Sequence, residues 1–359
     1  MSHPDVCIAG AGIIGLSLAL ELHQRGARVA VYDQGDPLAE ASTAAAGMLA
    51  AYDPENPLAL LELSKLSISR YPAFLNKLFE LSRSVVSLHT STTLQGLGAG
   101  RKPLPGIPTI SEQTIRLLVP ELRSSSQPFI LLDENSLNPR ELAVSLLTAV
   151  RATSISLHTQ TPIRLARSSS RGVEIHTDDE SLTASRFVDC TGAWGFTPTI
   201  PAHLRPRPRK GQMLAVAASP SQPLHVVIRT PEIYIVPRTA DPARTRWIVG
   251  ATVEDAGFDK KVHPEDIARL RQLAADLLPA VAEAPELETW AGLRPSTVDR
   301  LPLLGEVSPN HFIAAGHYRN GIMLAPGTAY VMSQLLAGKA PSVELSPFHP
   351  FRAGVLPEA

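Results

Sequence analysis

The sequence predicts a mixed α/β fold divided between two domains. Its 359 residues are more than a single simple core usually organises. Near the amino end, an apolar run stops at a glycine-rich turn, a helical pattern follows, and a second apolar run comes next; this is the strand–helix–strand order of a parallel sheet. The composition, 44% hydrophobic and 19% charged, is ordinary for a globular protein and excludes gross disorder.

The first strand–helix–strand unit can be followed residue by residue. Residues 5–9 predict a short buried strand, and the turn Gly10-Ala11-Gly12-Ile13-Ile14-Gly15 follows it directly. A second strand is predicted over 28–32 and stops at Asp33, which lies 23 positions after Gly10. Between them, Gly26 is expected to end a helix whose apolar face carries Ile14, Leu18 and Leu22.

Each part of this unit suits a dinucleotide. Gly10 permits a tight turn, Gly12 lets a pyrophosphate approach the backbone, and Gly15 lets the helix pack against the strand. The helix N-terminus offers N–H groups and a partial positive charge to the phosphates. Asp33 can accept hydrogen bonds from a ribose diol and would repel a 2′-phosphate, which disfavours NADP. FAD and NAD both remain open here, and a glycine-rich structural turn is the alternative.

A run of small residues follows the acid and bears on the choice of nucleotide. Residues 40–49 (EASTAAAGML) form a backbone bare enough to lie against a ligand. The hydroxyls of Ser42 and Thr43 are placed where they could reach phosphate oxygens. An ordinary Ala-rich helix start would produce a similar composition.

Taken with later motifs, the chain resembles the D-amino-acid oxidase superfamily of flavoproteins, and within it the glycine oxidases of thiamine biosynthesis. The resemblance covers nearly the whole chain in order. The last two motifs discriminate best, because they resemble the amino-acid-oxidising branch. The motifs are 10–15 (GAGIIG), 42–49 (STAAAGML), 188–194 (VDCTGAW), 210–212 (KGQ), 234–238 (YIVPR), 249–252 (VGAT), 290–295 (WAGLRP) and 316–326 (GHYRNGIMLAP).

The resemblance implies a Rossmann-like FAD-binding domain interrupted by a substrate domain with a large mixed or antiparallel β-sheet. The implied FAD-binding domain comprises 1–82, 136–206 and 298–359, and the substrate domain comprises 83–135 and 207–297. Residues 134–139 are expected to lead into a helix, and strands are predicted over 173–176 and 186–190. The apolar residues of that helix include Leu142, Val144, Leu146 and Leu147.

The same resemblance assigns the site. Arg294 is the expected clamp for a substrate carboxylate, because a planar guanidinium gives two parallel charge-assisted hydrogen bonds. Tyr234 adds a hydroxyl to the same carboxylate, and Arg319 borders the pocket. A structural ion pair, a solvent-facing strand aromatic and a loop brace are the respective alternatives. Expected FAD contacts are Gly10, Gly12, Ile13, Ile14, Gly15, Asp33, Gln34, Ser42, Thr43, Ala45, Ala46, Gly47, Met48, Thr191, Gly192, Trp194, Arg294, Tyr318, Asn320, Gly321, Ile322 and Met323.

The implied reaction is FAD-dependent oxidation of the C–N bond of a small amino acid, with O2 reduced to H2O2. Glycine is the expected substrate, and sarcosine or small D-amino acids remain open. The competing hypotheses are a dehydrogenase that uses a quinone or other carrier, an enzyme that oxidises 2-hydroxy acids, and a non-catalytic FAD-binding protein. Two tempting side chains receive no role: His317 is expected to be packed, and Glu232 is expected to be solvated, with attraction of a substrate amine as the alternative.

Charge and cysteine usage bear on partners and location. Lys plus Arg number 33 against 34 for Asp plus Glu, which gives no basic footprint for nucleic acid or an anionic membrane. The apolar stretch 6–20 lacks a basic leader and is too short for a span, so neither signal peptide nor membrane anchor is expected. The two cysteines fit a cytoplasmic protein without a metal site. The resemblance suggests a homo-oligomer.

Overall fold

The computed structural model describes residues 3–101, 103, 106–123, 127–195, 201–218, 223–239 and 245–352. The helices of these residues are α1 (Ile13–Gln24), α2 (Ala41–Ala44), α3 (Leu61–Ser82), α4 (Glu112–Leu118), α5 (Pro139–Arg151), α6 (Pro264–Leu277) and α7 (Gly321–Leu336). The strands are β1 (Val6–Ala9), β2 (Val29–Tyr32), β3 (Leu88–Thr90), β4 (Thr93–Gly96), β5 (Phe129–Leu132), β6 (Ser136–Leu137), β7 (Ser156–His158), β8 (Leu165–Ser169), β9 (Gly172–His176), β10 (Ser181–Ala184), β11 (Arg186–Asp189), β12 (Arg207–Ala217), β13 (Val227–Arg229), β14 (Tyr234–Arg238), β15 (Arg246–Gly250), β16 (Glu286–Ser296), β17 (Leu303–Ser308) and β18 (His311–Ala315).

A six-stranded sheet of order β17-β18-β11-β1-β2-β7 is the first of the two large sheets, and elements pack on both of its faces. All its neighbours run parallel except β17 and β18. From β1 the chain passes to β2 on one side, whereas β11 pairs on the other, so β1 lies at a topological switch point. A crevice at the carboxyl ends of such strands is where ligands bind in open α/β sheets.

Helix α1 is buried on more sides than its pattern predicted. Besides the predicted face of Ile14, Leu18 and Leu22, Leu16 and Leu20 are also buried, because α1 packs against the sheet, α5 and α7 together. On the opposite face of the sheet, strands β8–β10 pack against β1, β2 and β11. The six-stranded sheet is therefore the middle layer of three, between the helices on one face and strands β8–β10 on the other.

Helix α7 contains a proline whose structural cost is offset by α3. Pro326 has no N–H, so the carbonyl of Ile322 loses its helical partner and instead accepts a hydrogen bond from the Tyr71 hydroxyl. One residue later, the Gly327 N–H donates to Ser67 Oγ at 2.9 Å, and that hydroxyl donates to the Met323 carbonyl at 2.6 Å. These bonds fix the first turn of α7, which lies at the cleft described below.

A seven-stranded mixed sheet of order β16-β12-β15-β14-β13-β4-β5 is the second of the two large sheets. One of its faces packs with α4 and α6 around a core that contains Trp247 and Phe129. The register aligns one row of residues across the other face, since paired residues project to the same side of a sheet. That row is Gln95, Arg229, Tyr234, Gly250, Met213 and Trp290.

Several local predictions can be compared with these elements. Helix α5 begins at Pro139 with Asn138 as its N-cap, as expected, but Val144 is 62% exposed because it projects from the solvent side of the helix. Strands β9 and β11 occupy the predicted positions. Strand β12 begins at Arg207, and Lys210 within it is fully buried.

The division into domains remains a prediction. Segments of the six-stranded sheet fall in the ranges assigned to the FAD-binding domain, and the seven-stranded sheet falls in the ranges assigned to the substrate domain. Parts of those ranges lie outside the described residues, namely 1–2, 102, 104–105, 124–126, 196–200, 219–222, 240–244 and 353–359. The helices of the described residues include none with the length and hydropathy needed to cross a bilayer.

Candidate active site

A cleft lies between the six-stranded and seven-stranded sheets and has a cavity volume of about 400 Å³. Ligand sites usually measure about 300–1,000 Å³, so the cleft has the size of a ligand-binding site. Most predicted site residues line it: Gly10, Gly12, Ile13, Ile14, Asp33, Gln34, Ser42, Ala45, Ala46, Gly47, Met48, Thr191, Gly192, Trp194, Tyr234, Arg294, Tyr318, Arg319, Asn320, Gly321 and Ile322.

The glycine turn has the geometry that a pyrophosphate cradle requires. Gly10 has φ +101°, and a Cβ there would lie 2.5 Å from the carbonyl oxygen of Cys190. A Cβ on Gly15 would lie 1.9 Å from the Gly10 carbonyl oxygen, so helix and turn touch through backbone atoms. Gly12 faces the cleft, where a Cβ would meet only Ser42 Oγ at 3.5 Å. The turn is therefore bare on the side a ligand would approach.

Two side chains hold the turn in place. The Asp33 carboxylate accepts hydrogen bonds from the N–H of Ala11 at 2.6 Å and of Gly35 at 2.8 Å. Ser42 Oγ accepts from the N–H of Ile13, the first helical residue, at 2.9 Å. Both side chains line the cleft, and a carboxylate retains lone pairs for a ribose diol after accepting two bonds. The small-residue segment thus touches the helix N-terminus directly.

Three predicted contacts do not line the cleft. The Thr43 hydroxyl donates to the Leu38 carbonyl at 3.1 Å, and a contact between Thr43 and FAD stays a prediction. Met323 is 1% exposed and packs in the core behind the first turn of α7. Gly15 lets α1 pack closely against the backbone of the turn at Gly10, which is the reason a glycine was expected at this position.

The N-terminus of α7 lines the cleft and lies next to Ile13 of the glycine turn. Asn320 caps the helix, and its side-chain amide donates to Asn56 Oδ1 at 3.0 Å. Gly321 and Ile322 line the cleft beside Tyr318, which has φ +50°. The sixteen-residue helix presents the positive end of its dipole to the cleft, a placement suited to developing negative charge on a bound ring.

Arg294 lies across the backbone of a neighbouring strand. A Cβ on Gly211 would lie 2.2 Å from Arg294 Nη2, so only glycine leaves room for the guanidinium. Arg294 Nη1 donates to the carbonyls of Lys210 at 3.2 Å and Thr252 at 3.0 Å. Among the described residues Arg294 forms no ion pair with an acidic side chain. Its position on the cleft wall and its charge therefore suit an anionic group.

The two carbonyls that hold Arg294 are themselves held by a polar network. The buried Lys210 Nζ donates to Asp259 Oδ2 at 2.9 Å, and Asp259 also accepts from His263 at 3.2 Å in the recorded geometry. The N–H of Gln212 donates to Thr252 Oγ1 at 2.7 Å. Lys210 and Gln212 of the KGQ motif therefore position the two carbonyls that hold Arg294, and Gly211 between them leaves room for its guanidinium.

Tyr234 lies beside Arg294 over another glycine. Its hydroxyl contacts Met213 Sδ at 3.1 Å, and a Cβ on Gly250 would lie 2.6 Å from the same oxygen. Burial raises the pKa of Tyr234, while the charges of Arg294 and Arg319 oppose the shift. The hydroxyl therefore remains protonated at neutral pH and can donate a hydrogen bond into the cleft.

Arg319 borders the cleft and forms an ion pair with an acidic side chain, and its role in the site stays a prediction. Its Nη2 pairs with Asp53 Oδ2 at 3.2 Å, and its side chain is 35% exposed. The sequence reasoning missed Asp53, as well as Arg229 and Glu134, which pair at 2.9 Å just behind it. No local pattern marks these three; Arg229 could be found only by pairing β13 with β14, which sets it opposite Tyr234.

The two side chains that received no role occupy the expected environments. His317 is 2% exposed, and its Nε2 lies 3.1 Å from the Thr328 hydroxyl. Burial lowers the pKa of His317 to about 3, so the ring is neutral at ordinary pH. Glu232 lines the cleft but is exposed, and its carboxylate accepts from the Thr230 hydroxyl at 3.3 Å. Neither side chain has the environment of a general base.

Comparisons with known proteins agree with this geometry. The family of FAD-dependent oxidoreductases matches residues 5–335. A glycine oxidase of Geobacillus kaustophilus is 30% identical over 96% of this chain and 96% of its own length. The bifunctional protein ThiO/ThiG of Trichormus variabilis is 33% identical over 96% of this chain and 54% of its own length. The crystal structure of the Geobacillus glycine oxidase superimposes with a TM-score of 0.88, covering 98% of this chain and 99% of that one at 28% identity.

Proposed function

Since the chain belongs to the family of FAD-dependent oxidoreductases, we propose that it oxidises the C–N bond of a small amino acid, glycine first, with O2 as the electron acceptor. FAD is its cofactor, and the bare glycine turn, the Asp33 carboxylate and the volume of the cleft fit that group. The observation that carries the amino-acid assignment is Arg294, a cleft-lining guanidinium with no acidic partner among the described residues.

The proposed roles follow from what each side chain can do. Arg294 binds the substrate carboxylate through the part of its fork not used by the Lys210 and Thr252 carbonyls, and the Tyr234 hydroxyl donates to the same group. These two contacts fix the direction of the Cα–H bond. FAD held by the Gly10–Gly15 turn and Asp33 would supply the hydride acceptor and the route of the electrons to O2, which would give H2O2. The imino acid is then hydrolysed to a 2-oxo acid and ammonia.

The chain does not need to supply a base to Cα. The neutral His317 is buried against Thr328, and Glu232 is exposed to solvent. The substrate amine therefore loses its proton to water, and activity is expected to rise with pH as the free amine becomes populated. In this proposal the protein contributes orientation and electrostatics.

Anaerobic titration of the purified holoprotein tests this function. Glycine, sarcosine, D-alanine and D-proline should bleach the flavin absorbance, whereas glycolate and D-lactate should not. Under air, one H2O2 per 2-oxo acid distinguishes an oxidase from a dehydrogenase that needs a quinone. Bleaching by hydroxy acids alone would overturn the amine assignment, and a yellow protein that no donor bleaches would indicate a non-catalytic FAD protein.

We extend the proposal to setting and assembly. Cys7 and Cys190 are buried free thiols, which supports a cytoplasmic location, and the resemblance supports a homo-oligomer that feeds thiazole formation in thiamine biosynthesis. Light scattering of the holoprotein tests the assembly, and a monomer at micromolar concentration would contradict it. Complementation of a glycine-oxidase-deficient thiamine auxotroph tests the pathway, and failure of an active enzyme to restore growth would contradict it.

A further inference from the structure

One wall of the cleft carries a chain of four alternating charges. Arg319 Nη2 lies 3.2 Å from Asp53 Oδ2, and Arg229 Nε lies 3.8 Å from the same oxygen. Arg229 Nη2 lies 2.9 Å from Glu134 Oε2. The inner members are almost without solvent contact, with side-chain exposures of 8% for Asp53, 4% for Arg229 and 1% for Glu134. Solvent therefore screens these charges only weakly.

This charge chain lies at the substrate end of the cleft. Arg229 is the cross-strand partner of Tyr234, so their side chains share the face that borders the cleft. Arg319 is close enough to Tyr234 to influence its pKa. A substituent on the bound amino acid that extends away from Arg294 along this wall meets Asp53 and its two arginines.

Of the two acids in this row of four charges, Asp53 is the one that lies beside Arg319. Glu134 is paired with Arg229 and accepts a second hydrogen bond from the Tyr52 N–H at 2.9 Å. Arg319 has Asp53 as its acidic partner in the described residues; its other recorded contact is the neutral Asn56. Without Asp53, Arg319 would present an uncompensated guanidinium to the cleft.

We propose that Asp53 is a specificity-determining residue that restricts the site to amino acids with one carboxylate. This inference rests on the proposed function. Asp53 does this in two ways. It occupies the arginine fork that would otherwise bind a second carboxylate, and it places a like charge where that carboxylate would lie. Arg294 is then left as the anion-binding group of the site.

The substitution Asp53→Asn tests this proposal, because the amide keeps the volume but removes the charge. The measured quantity is the ratio of kcat/KM for D-aspartate to kcat/KM for D-alanine, two substrates that differ by one carboxylate. The ratio should rise at least about tenfold, since one arginine–carboxylate contact is released to the substrate. The matched control is Glu232→Gln, which removes the same charge from the same cleft without freeing an arginine, and its ratio should change less than about threefold.

Binding gives a second readout that does not depend on turnover. Perturbation of the flavin spectrum reports dissociation constants for acetate and malonate, and Asp53→Asn should tighten malonate relative to acetate by a similar factor. The double variant Asp53→Asn/Arg319→Gln should return both ratios towards the wild type, because the uncovered guanidinium is gone. If Asp53→Asn fails to retain FAD, the wild type still decides: it must bind acetate at least about tenfold more tightly than malonate.

The outcomes separate this inference from the function on which it rests. If no amino acid bleaches the wild-type flavin, the proposed function fails. If glycine and D-alanine bleach the flavin but Asp53→Asn leaves both ratios unchanged, or Glu232→Gln shifts them equally, Asp53 has no specific role. Equal affinity of the wild type for acetate and malonate would also overturn the proposal.

Discussion

Replacing Arg294 by lysine keeps the positive charge at the substrate end of the cleft but removes the planar fork. In the structure, Nη1 is engaged by two backbone carbonyls, which leaves the remaining N–H groups for a carboxylate. A lysine ammonium is a single point that must serve the same carbonyls and the substrate together. The substrate therefore loses about one charge-assisted hydrogen bond, worth roughly 1.5–3 kcal/mol. This corresponds to roughly a 10- to 150-fold loss of affinity.

The assay is steady-state H2O2 production with glycine, together with the dissociation constant of acetate from the flavin spectrum. Arg294→Lys should raise KM and the acetate constant by similar factors, while the FAD content stays at the wild-type level. The matched control is Arg209→Lys, because Arg209 is the cross-strand partner of Arg294 but forms an exposed ion pair with Asp255 at 3.4 Å. That variant should behave like the wild type.

Two results would refute this reasoning. If Arg294→Lys left the acetate constant unchanged while kcat fell, Arg294 would act on the chemistry and not on carboxylate binding. If Arg209→Lys and Arg294→Lys weakened acetate equally, the effect would come from the long-range charge or from disturbance of the sheet. Loss of FAD in Arg294→Lys alone would indicate a structural role for this side chain.

Three further predictions concern the cofactor site, α7 and the buried histidine. Ser42→Ala should weaken FAD retention several-fold, because the first N–H of α1 loses its acceptor, whereas Thr43→Val should leave it unchanged; fluorescence of released flavin on dilution measures both. Tyr71→Phe leaves the carbonyl freed by Pro326 unsatisfied and should lower the free energy of unfolding by about 1–3 kcal/mol in urea titrations. In His317→Gln, the loss of stability on acidification should be smaller than in the wild type. The folded pKa of about 3 lies below the unfolded value of about 6.5, so the unfolded chain binds the proton first and the wild type loses about 2 kcal/mol between pH 6.5 and 5.

Each of these predictions has a contrary outcome. Equal flavin loss from Ser42→Ala and Thr43→Val would mean that the segment acts through its shape alone. An unchanged unfolding midpoint for Tyr71→Phe would mean that water satisfies the carbonyl. Parallel pH–stability curves for wild type and His317→Gln would show that the ring is not held neutral, and loss of glycine turnover in that variant would return His317 to the catalytic candidates.

The amino-terminal unit could be predicted in detail because its constraints are local. The turn at 10–15, the strands beside it and the acid at Asp33 each depend on neighbours in sequence, and the structure has them at the predicted positions. The burial of α1 on several sides could not be predicted, because α7 lies some three hundred residues away and covers a face that the pattern left to solvent. Distant packing overrides periodicity in such cases.

The cleft residues also divide into those that a local motif marks and those that only the fold brings together. Arg294 and Tyr234 stand in recognisable motifs, and both line the cleft. Asp53 and Arg229 stand in unremarkable sequence and become neighbours only because the segment after α2 meets the end of strand β13 in the seven-stranded sheet. Thr43 shows what residue type alone leaves out: its hydroxyl is of a suitable type, but in the structure it donates to the Leu38 carbonyl.

A crystal structure of the FAD-bound protein with acetate tests the central claim most directly. The account predicts the pyrophosphate against the Gly10–Gly15 turn and an acetate oxygen within about 3 Å of both Arg294 and the Tyr234 hydroxyl. The N-terminus of α7 should face an oxygen of the flavin ring, where negative charge develops on reduction. Acetate bound instead at Arg319 or Arg229, with Arg294 contacting only backbone carbonyls, would contradict the account.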